Sequence, residues 1–151
     1  MPKLSRAFLA MLAMLCSCLV APFASAQTAP TIDSRFADVD GLKLHYLVAG
    51  QGSPVILLHG YAQNSHMWRP AMAELARTHL VIAPDLPGFG ESARPEKGYE
   101  KAAMARTIHG LSQSLGLKQP GIAGHDIGLM VAYAYAAQYP TEVGRVALMD
   151  A

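Results

Sequence analysis

The run Val55-Ile56-Leu57-Leu58, halted by His59-Gly60, constrains this chain more than any other feature. Four consecutive apolar residues without polar alternation suit a strand covered on both faces, as in a parallel sheet between helices. The pattern recurs downstream. Leu80 to Ala83 is a second such strand, stopped by Pro84; Gly121 to Gly124 is a short third; Val143 to Met149 is the last. Helical periodicity fills the gaps. It covers 65–78, where Met67, Met72, Leu75 and Ala76 can share an inner side, and 99–115, through Met104, Ile108, Leu111 and Leu115, closed by Gly116. It covers 127–139 as well, ended by Pro140. Upstream, Phe36 to Asp40 and Leu42 to Ala49 flank Asp40-Gly41, a tight-turn signal that predicts an antiparallel hairpin. A hairpin followed by repeated β–α units predicts an α/β fold: a mostly parallel sheet with helices on both faces.

The apolar fraction, 52% of 151 residues, is high for one soluble domain, and its excess sits at the N-terminus. Lys3 and Arg6 precede an apolar stretch from Ala7 to Val20, then Pro22 and the small residues Ala24-Ser25-Ala26. This is the order of a secretory signal peptide cleaved after Ala26, and it predicts a periplasmic or secreted protein. Residues 27–34 read as a flexible connector and 35–151 as the folded domain. Both cysteines, Cys16 and Cys18, fall in the export segment, so the mature chain has no thiol. Without Lys3 and Arg6 the chain is near neutral and has no charge run. It gives no reason to expect nucleic acid, or a membrane after cleavage, as partner. No metal is expected, because the histidines lack ligand spacing.

The chemistry concentrates in Gly124-His125-Asp126-Ile127-Gly128, between a predicted strand and a predicted helix. A side chain on a sharp strand-to-helix turn is held up at the strand's C-terminal end, and its neighbours must be small. Asp126 takes the nucleophile's place, at a helix N-terminus that favours negative charge. The plainer alternative is an ordinary βα turn with Asp126 as helix cap. A carboxylate is ionised at neutral pH and needs no base to act as a nucleophile. It can displace a leaving group from saturated carbon and become an alkyl ester, which water then cleaves.

With Leu58-His59-Gly60-Tyr61 and the loop Asp85-Leu86-Pro87-Gly88-Phe89-Gly90-Glu91-Ser92, this motif resembles the epoxide hydrolase and haloalkane dehalogenase branch of the α/β-hydrolase family. The resemblance covers residues 36–151. It implies the N-terminal half of an α/β-hydrolase core that uses no cofactor and acts on a small molecule, an epoxide or an alkyl halide. Asp126 is the implied nucleophile. The implied oxyanion donors are the backbone N–H groups of Tyr61 and Ile127. His59, Gly60, Gly124 and Gly128 are implied to shape the site, with His59 hydrogen-bonded beneath it. Asp150, 24 residues after Asp126, is either a relay acid, as in some dehalogenase relatives, or a cap of the next loop. His45, His66, His79 and His109 read as surface positions. Tyr133 and Tyr135 read as core or helix-packing residues.

Two departures from the family pattern rank the activities. Ile127 stands where many relatives have a tryptophan that steadies a halide, and where fluoroacetate dehalogenases have an arginine. Epoxide opening to a diol needs neither and ranks first; haloalkane or haloacid dehalogenation ranks second. Ala62 stands where relatives often have proline. The family's triad order is nucleophile, acid, histidine, yet no histidine follows Asp126 in these 151 residues. The cap and the C-terminal strands are also missing. The expectation is therefore a partial sequence, inactive by itself, whose last strand leaves an apolar edge open. A non-catalytic module binding through that edge is the alternative of another class. A serine esterase is disfavoured by the lack of G-x-S-x-G.

Overall fold

A computed structural model describes residues 30–150. The predicted export segment and the first residues of the connector lie outside the described residues. Six strands, β1 (Asp33–Val39), β2 (Leu42–Ala49), β3 (Ser53–Leu58), β4 (His79–Pro84), β5 (Gly121–His125) and β6 (Arg145–Met149), form one sheet. Their order is β1-β2-β4-β3-β5-β6. Helices α1 (Arg69–Leu75), α2 (Lys101–Ser114) and α3 (Ile127–Gln138) link them.

The hairpin forms as its turn dictates. Val39 pairs with Leu42 across Asp40 and Gly41, whose φ values of 52° and 81° are the paired left-handed conformations of a two-residue hairpin turn. β2 then runs antiparallel to β4, while β3–β4, β3–β5 and β5–β6 are parallel. The sheet is thus mixed at one side and parallel through its centre.

β3 carries the logic of the two-sided core. Ile56 and Leu58 point to one face, where they pack with Leu44, Tyr46, Ile82, Met104, Ile108, Leu111, Val131 and Tyr135 beneath α2 and α3. Leu57, between them, points to the other face, where it packs with Leu47, Val81, Ala83, Met72 and Ala76 beneath α1. Each fully buried Leu or Ile contributes ~1.5–3 kcal/mol, so a polar residue at any of these β3 positions would lose one face of the fold.

Several expectations need correction. The segment 65–78 is not one helix. A 3₁₀ turn, Ser65–Trp68, precedes α1, which ends at Leu75. Pro70 sits in the first turn of α1, where its missing N–H costs no intrahelical bond, so the regular helix begins there. β1 begins at Asp33, so the last two residues of the expected connector belong to the sheet. Tyr135 is buried, but Tyr133 is 66% exposed on the outer side of α3. His45 and His109 are buried rather than surface residues. His45 bonds Asp85. His109 stacks on Tyr139 with ring centroids 3.6 Å apart and bonds Glu142 at 2.9 Å. Both corrections have one cause: a histidine with a carboxylate partner can be buried, and neither partner is adjacent in sequence. β6 lies at the sheet's edge with every residue exposed, Val146 and Leu148 among them.

Ile108 is fully buried between α2 and the sheet. Ile108→Ala should cost about 2–5 kcal/mol of unfolding free energy. Urea titration followed by circular dichroism checks this; a loss under about 1 kcal/mol would mean that α2 is not seated on this core.

Candidate active site

The site is built where β5 turns into α3. Asp126 lies between them at φ 51°, ψ −123°, a conformation that costs a non-glycine residue of order 1–3 kcal/mol and persists only where surrounding packing enforces it. That packing is backbone on backbone. A Cβ on Gly124 would overlap the carbonyl of Gly128, and a Cβ on Gly128 would overlap the carbonyl of Leu58 at the end of β3. The two glycines let α3 start directly above β5 and against β3. The N–H of Asp126 is held by the carbonyl of Met149 in β6, 3.2 Å away.

Asp126 occupies the N-cap position of α3, but its side chain makes no capping hydrogen bond. Its Oδ2 accepts instead from the backbone N–H of Tyr61 at 2.8 Å. Tyr61 belongs to the loop after β3, and Gly60 makes the approach possible. A Cβ at Gly60 would stand 2.9 Å from the Asp126 Cβ and 2.9 Å from His125 Nδ1. The N–H of Ile127, the first residue of α3, is one of the helix-initial donors without an intrahelical acceptor. Carboxylate, Tyr61 N–H and helix terminus therefore share one place.

His59 sets the direction of the Tyr61 N–H. Its buried ring donates from Nδ1 to the Gly60 carbonyl at 2.9 Å and accepts at Nε2 from the Leu86 N–H at 3.0 Å. This network assigns the neutral Nδ1–H tautomer. Gly60 C=O and Tyr61 N–H belong to one planar peptide unit, so fixing the oxygen aims the N–H. Burial pushes the His59 pKa below its ordinary value of 6.5, against the pull of the Gly60 carbonyl and the Asp85 charge. Both ring nitrogens are occupied, so His59 has no free lone pair with which to act as a base.

Ala62, where the resemblance leads one to expect proline, adopts a left-handed conformation. Its φ is +55°, which the proline found there in relatives could not adopt. The loop turns by a left-handed residue instead. Asp150 reaches His125, with Oδ2 3.2 Å from Nε2. His125 Nδ1 is buried without a partner among the described residues. The sequence signalled the elbow and the Tyr61 donor. It gave no sign that Asp85, inside the Gly-Pro loop, is a buried hub. Asp85 accepts from Ser65 N at 2.6 Å, Glu91 N at 2.8 Å and His45 Nδ1 at 2.8 Å. Gly90, at φ +51°, brings its backbone against that carboxylate. Among the described residues no three His, Cys, Asp or Glu side chains converge as a metal site would require.

A sheet of this order, with a strained residue between strand and helix met by a loop N–H, has the architecture of an α/β-hydrolase core. The chain belongs to the alpha/beta hydrolase fold family, whose pattern matches residues 53–151. It is 40% identical over 114 residues to a soluble epoxide hydrolase of Corynebacterium sp. (strain C12), covering 76% of this chain and 40% of that protein. It is 32% identical over 123 residues to a fluoroacetate dehalogenase of Burkholderia sp, covering 78% of this chain and 40% of that one. Among solved structures, the epoxide hydrolase CorEH without ligand superposes with a TM-score of 0.77 at 38% identity, over 79% of this chain and 43% of its own. The chain thus spans about 40% of the length of the curated relatives it matches.

Two predictions follow from this geometry. Gly124→Ala and Gly128→Ala should each destabilise the protein by at least about 3 kcal/mol, since backbone must move. Gly121→Ala, whose Cβ would meet Val55 Cγ2 at an ordinary 3.8 Å, should change stability by less than about 1 kcal/mol. Equal effects at all three in denaturant titrations would refute the close packing. The second concerns acid. With the His59 pKa lowered in the fold, the unfolded chain takes up the proton first, so stability should fall as pH drops below 6.5. Burial alone would raise the Asp85 pKa, but the N–H groups of Ser65 and Glu91 and His45 outweigh it and hold it below 3.8. That contribution is complete above 3.8 and is lost as pH falls through the folded value. Urea midpoints at pH 8 and 5.5 should differ in the wild type and differ less in His59→Gln; an unchanged difference would contradict the neutral, buried His59.

Proposed function

We propose that this chain carries the nucleophile half of an epoxide hydrolase, with Asp126 forming a covalent alkyl ester. One observation carries the reading: the Tyr61 N–H donates to the Asp126 carboxylate itself. With a serine nucleophile, oxyanion donors face an empty point where a substrate oxygen will sit. With an aspartate nucleophile, the oxyanion of the hydrolytic step develops on the aspartate's own side-chain oxygen, so the donor must already touch it. Oδ2 is held, which leaves Oδ1 to attack.

Oδ1 bonds to a ring carbon of the epoxide, the ring C–O bond breaks, and the ring oxygen takes a proton from an acid. The product is a hydroxyalkyl ester on Asp126. Water, giving its proton to a base, then attacks Cγ. The tetrahedral oxyanion rests on the N–H groups of Tyr61 and Ile127 and collapses to release the diol and restore the carboxylate. The base and the acid for the ring oxygen are not among the residues described above, so the complete gene product is the species to assay. The epoxide hydrolase relatives support the substrate class. Ile127 has no side-chain donor for a departing halide, which sets dehalogenation second despite the fluoroacetate dehalogenase relative.

Asp126→Ala should remove diol formation from styrene oxide by at least about 10⁴-fold, because a lost nucleophile leaves only residual catalysis, with the fold unchanged by circular dichroism. Turnover retained in that variant would reject Asp126. Turnover of 1-chlorobutane but not of the epoxide by the wild type would promote the dehalogenase reading.

A further inference from the structure

The loop that carries the Tyr61 N–H is fastened at both ends to two consecutive residues, Asp85 and Leu86. At its start, Leu86 N–H donates to His59 Nε2 at 3.0 Å, and His59 holds the Gly60–Tyr61 peptide. At its end, Ser65 N–H donates to Asp85 Oδ1 at 2.6 Å. The position of the oxyanion donor therefore depends on where the Asp85–Leu86 segment is held.

Asp85 is in turn fixed to one residue of β2, His45, through both side chain and backbone. His45 Nδ1 donates to Asp85 Oδ2 at 2.8 Å, and Asp85 N–H donates to the His45 carbonyl at 2.9 Å. Ser92 closes the ring: its hydroxyl donates to the Asp85 carbonyl at 2.7 Å and accepts from the His45 N–H at 3.0 Å. The His45 ring is fully buried, and its far nitrogen Nε2 meets Ser34 Oγ of β1 at 2.8 Å, with Glu91 Oε1 at 3.8 Å. Packing alone does not call for this arrangement, since a leucine at this position would fill β2 without an ion partner.

We infer that His45 and Asp85 are positioning residues for the second half of the reaction, setting through the 59–65 loop the Tyr61 N–H that receives the oxyanion on Asp126. The inference rests on Asp126 being the nucleophile. It separates the two half-reactions. Ester formation needs an oriented carboxylate and builds no tetrahedral oxyanion. Ester hydrolysis builds that oxyanion and depends on the donor. Loosening the Asp85 anchor therefore slows hydrolysis far more than ester formation, for which the Tyr61 N–H only orients the carboxylate, so kcat and KM fall together and the ester accumulates.

The test is rapid-quench mass spectrometry of the complete gene product with styrene oxide, comparing wild type, His45→Leu and His45→Asn. Asparagine keeps an N–H that can reach Asp85 Oδ2; leucine does not. His45→Leu should form the ester within about twofold of the wild-type rate and hydrolyse it roughly 10–100-fold more slowly, the scale of a remote misplacement. His45→Asn should recover most of that loss. If His45→Leu hydrolyses its ester at the wild-type rate, or if both steps decline in proportion to a smaller burst from less folded enzyme, His45 is structural only and the inference fails. If the wild type forms no ester on Asp126, the proposed function falls first and the inference with it.

Discussion

The strained conformation of Asp126 is possible only because Gly124 and Gly128 meet with no side chain between them. That contact fixes how close α3 comes to β5 and β3, and hence where the carboxylate stands. A Cβ at either position would lift the helix, relax the turn and withdraw the side chain from the Tyr61 N–H. The sheet order serves the same point. β3 and β5 are parallel neighbours, so the loop after one and the elbow after the other emerge side by side at the sheet's C-terminal edge.

The second support is polar and lies beneath the first. Buried charge is costly unless it is paired and hydrogen-bonded, and Asp85 answers this with two backbone N–H groups and an imidazole. His59 answers it by staying neutral, one nitrogen giving and the other receiving. Together they convert a glycine- and proline-rich loop, which would be mobile by composition, into the base on which the Tyr61 N–H rests.

The parts legible in the sequence are those governed by local periodicity and local turn chemistry. The unbroken run of β3, the Asp40-Gly41 hairpin and the glycines flanking Asp126 each state their structure within a few residues. What escaped was decided across long sequence separations. His45 and Asp85 are 40 residues apart, and His109 and Glu142 are 33 apart. Alone, each histidine resembles an exposed polar residue on its strand or helix. The broken helix near Ser65 escaped for a related reason: its first residue is held by Asp85, which pins the chain in a 3₁₀ turn before Pro70 allows α1 to begin. Tyr133 and Tyr135 differ only in which side of α3 they face, and a helix apolar on nearly all sides gives no periodic signal to separate them.

With Asp126 as nucleophile, water attacks its carboxyl carbon rather than the substrate, and isotope transfer distinguishes the two. A single turnover of the complete gene product in ¹⁸O-water, with enzyme in excess over styrene oxide, should place the label in the Asp126 carboxylate, found by mass spectrometry of the peptide that contains it, and leave the first diol unlabelled. Label in the first diol and none in that peptide would mean that water opens the ring directly, and Asp126 would not be the nucleophile.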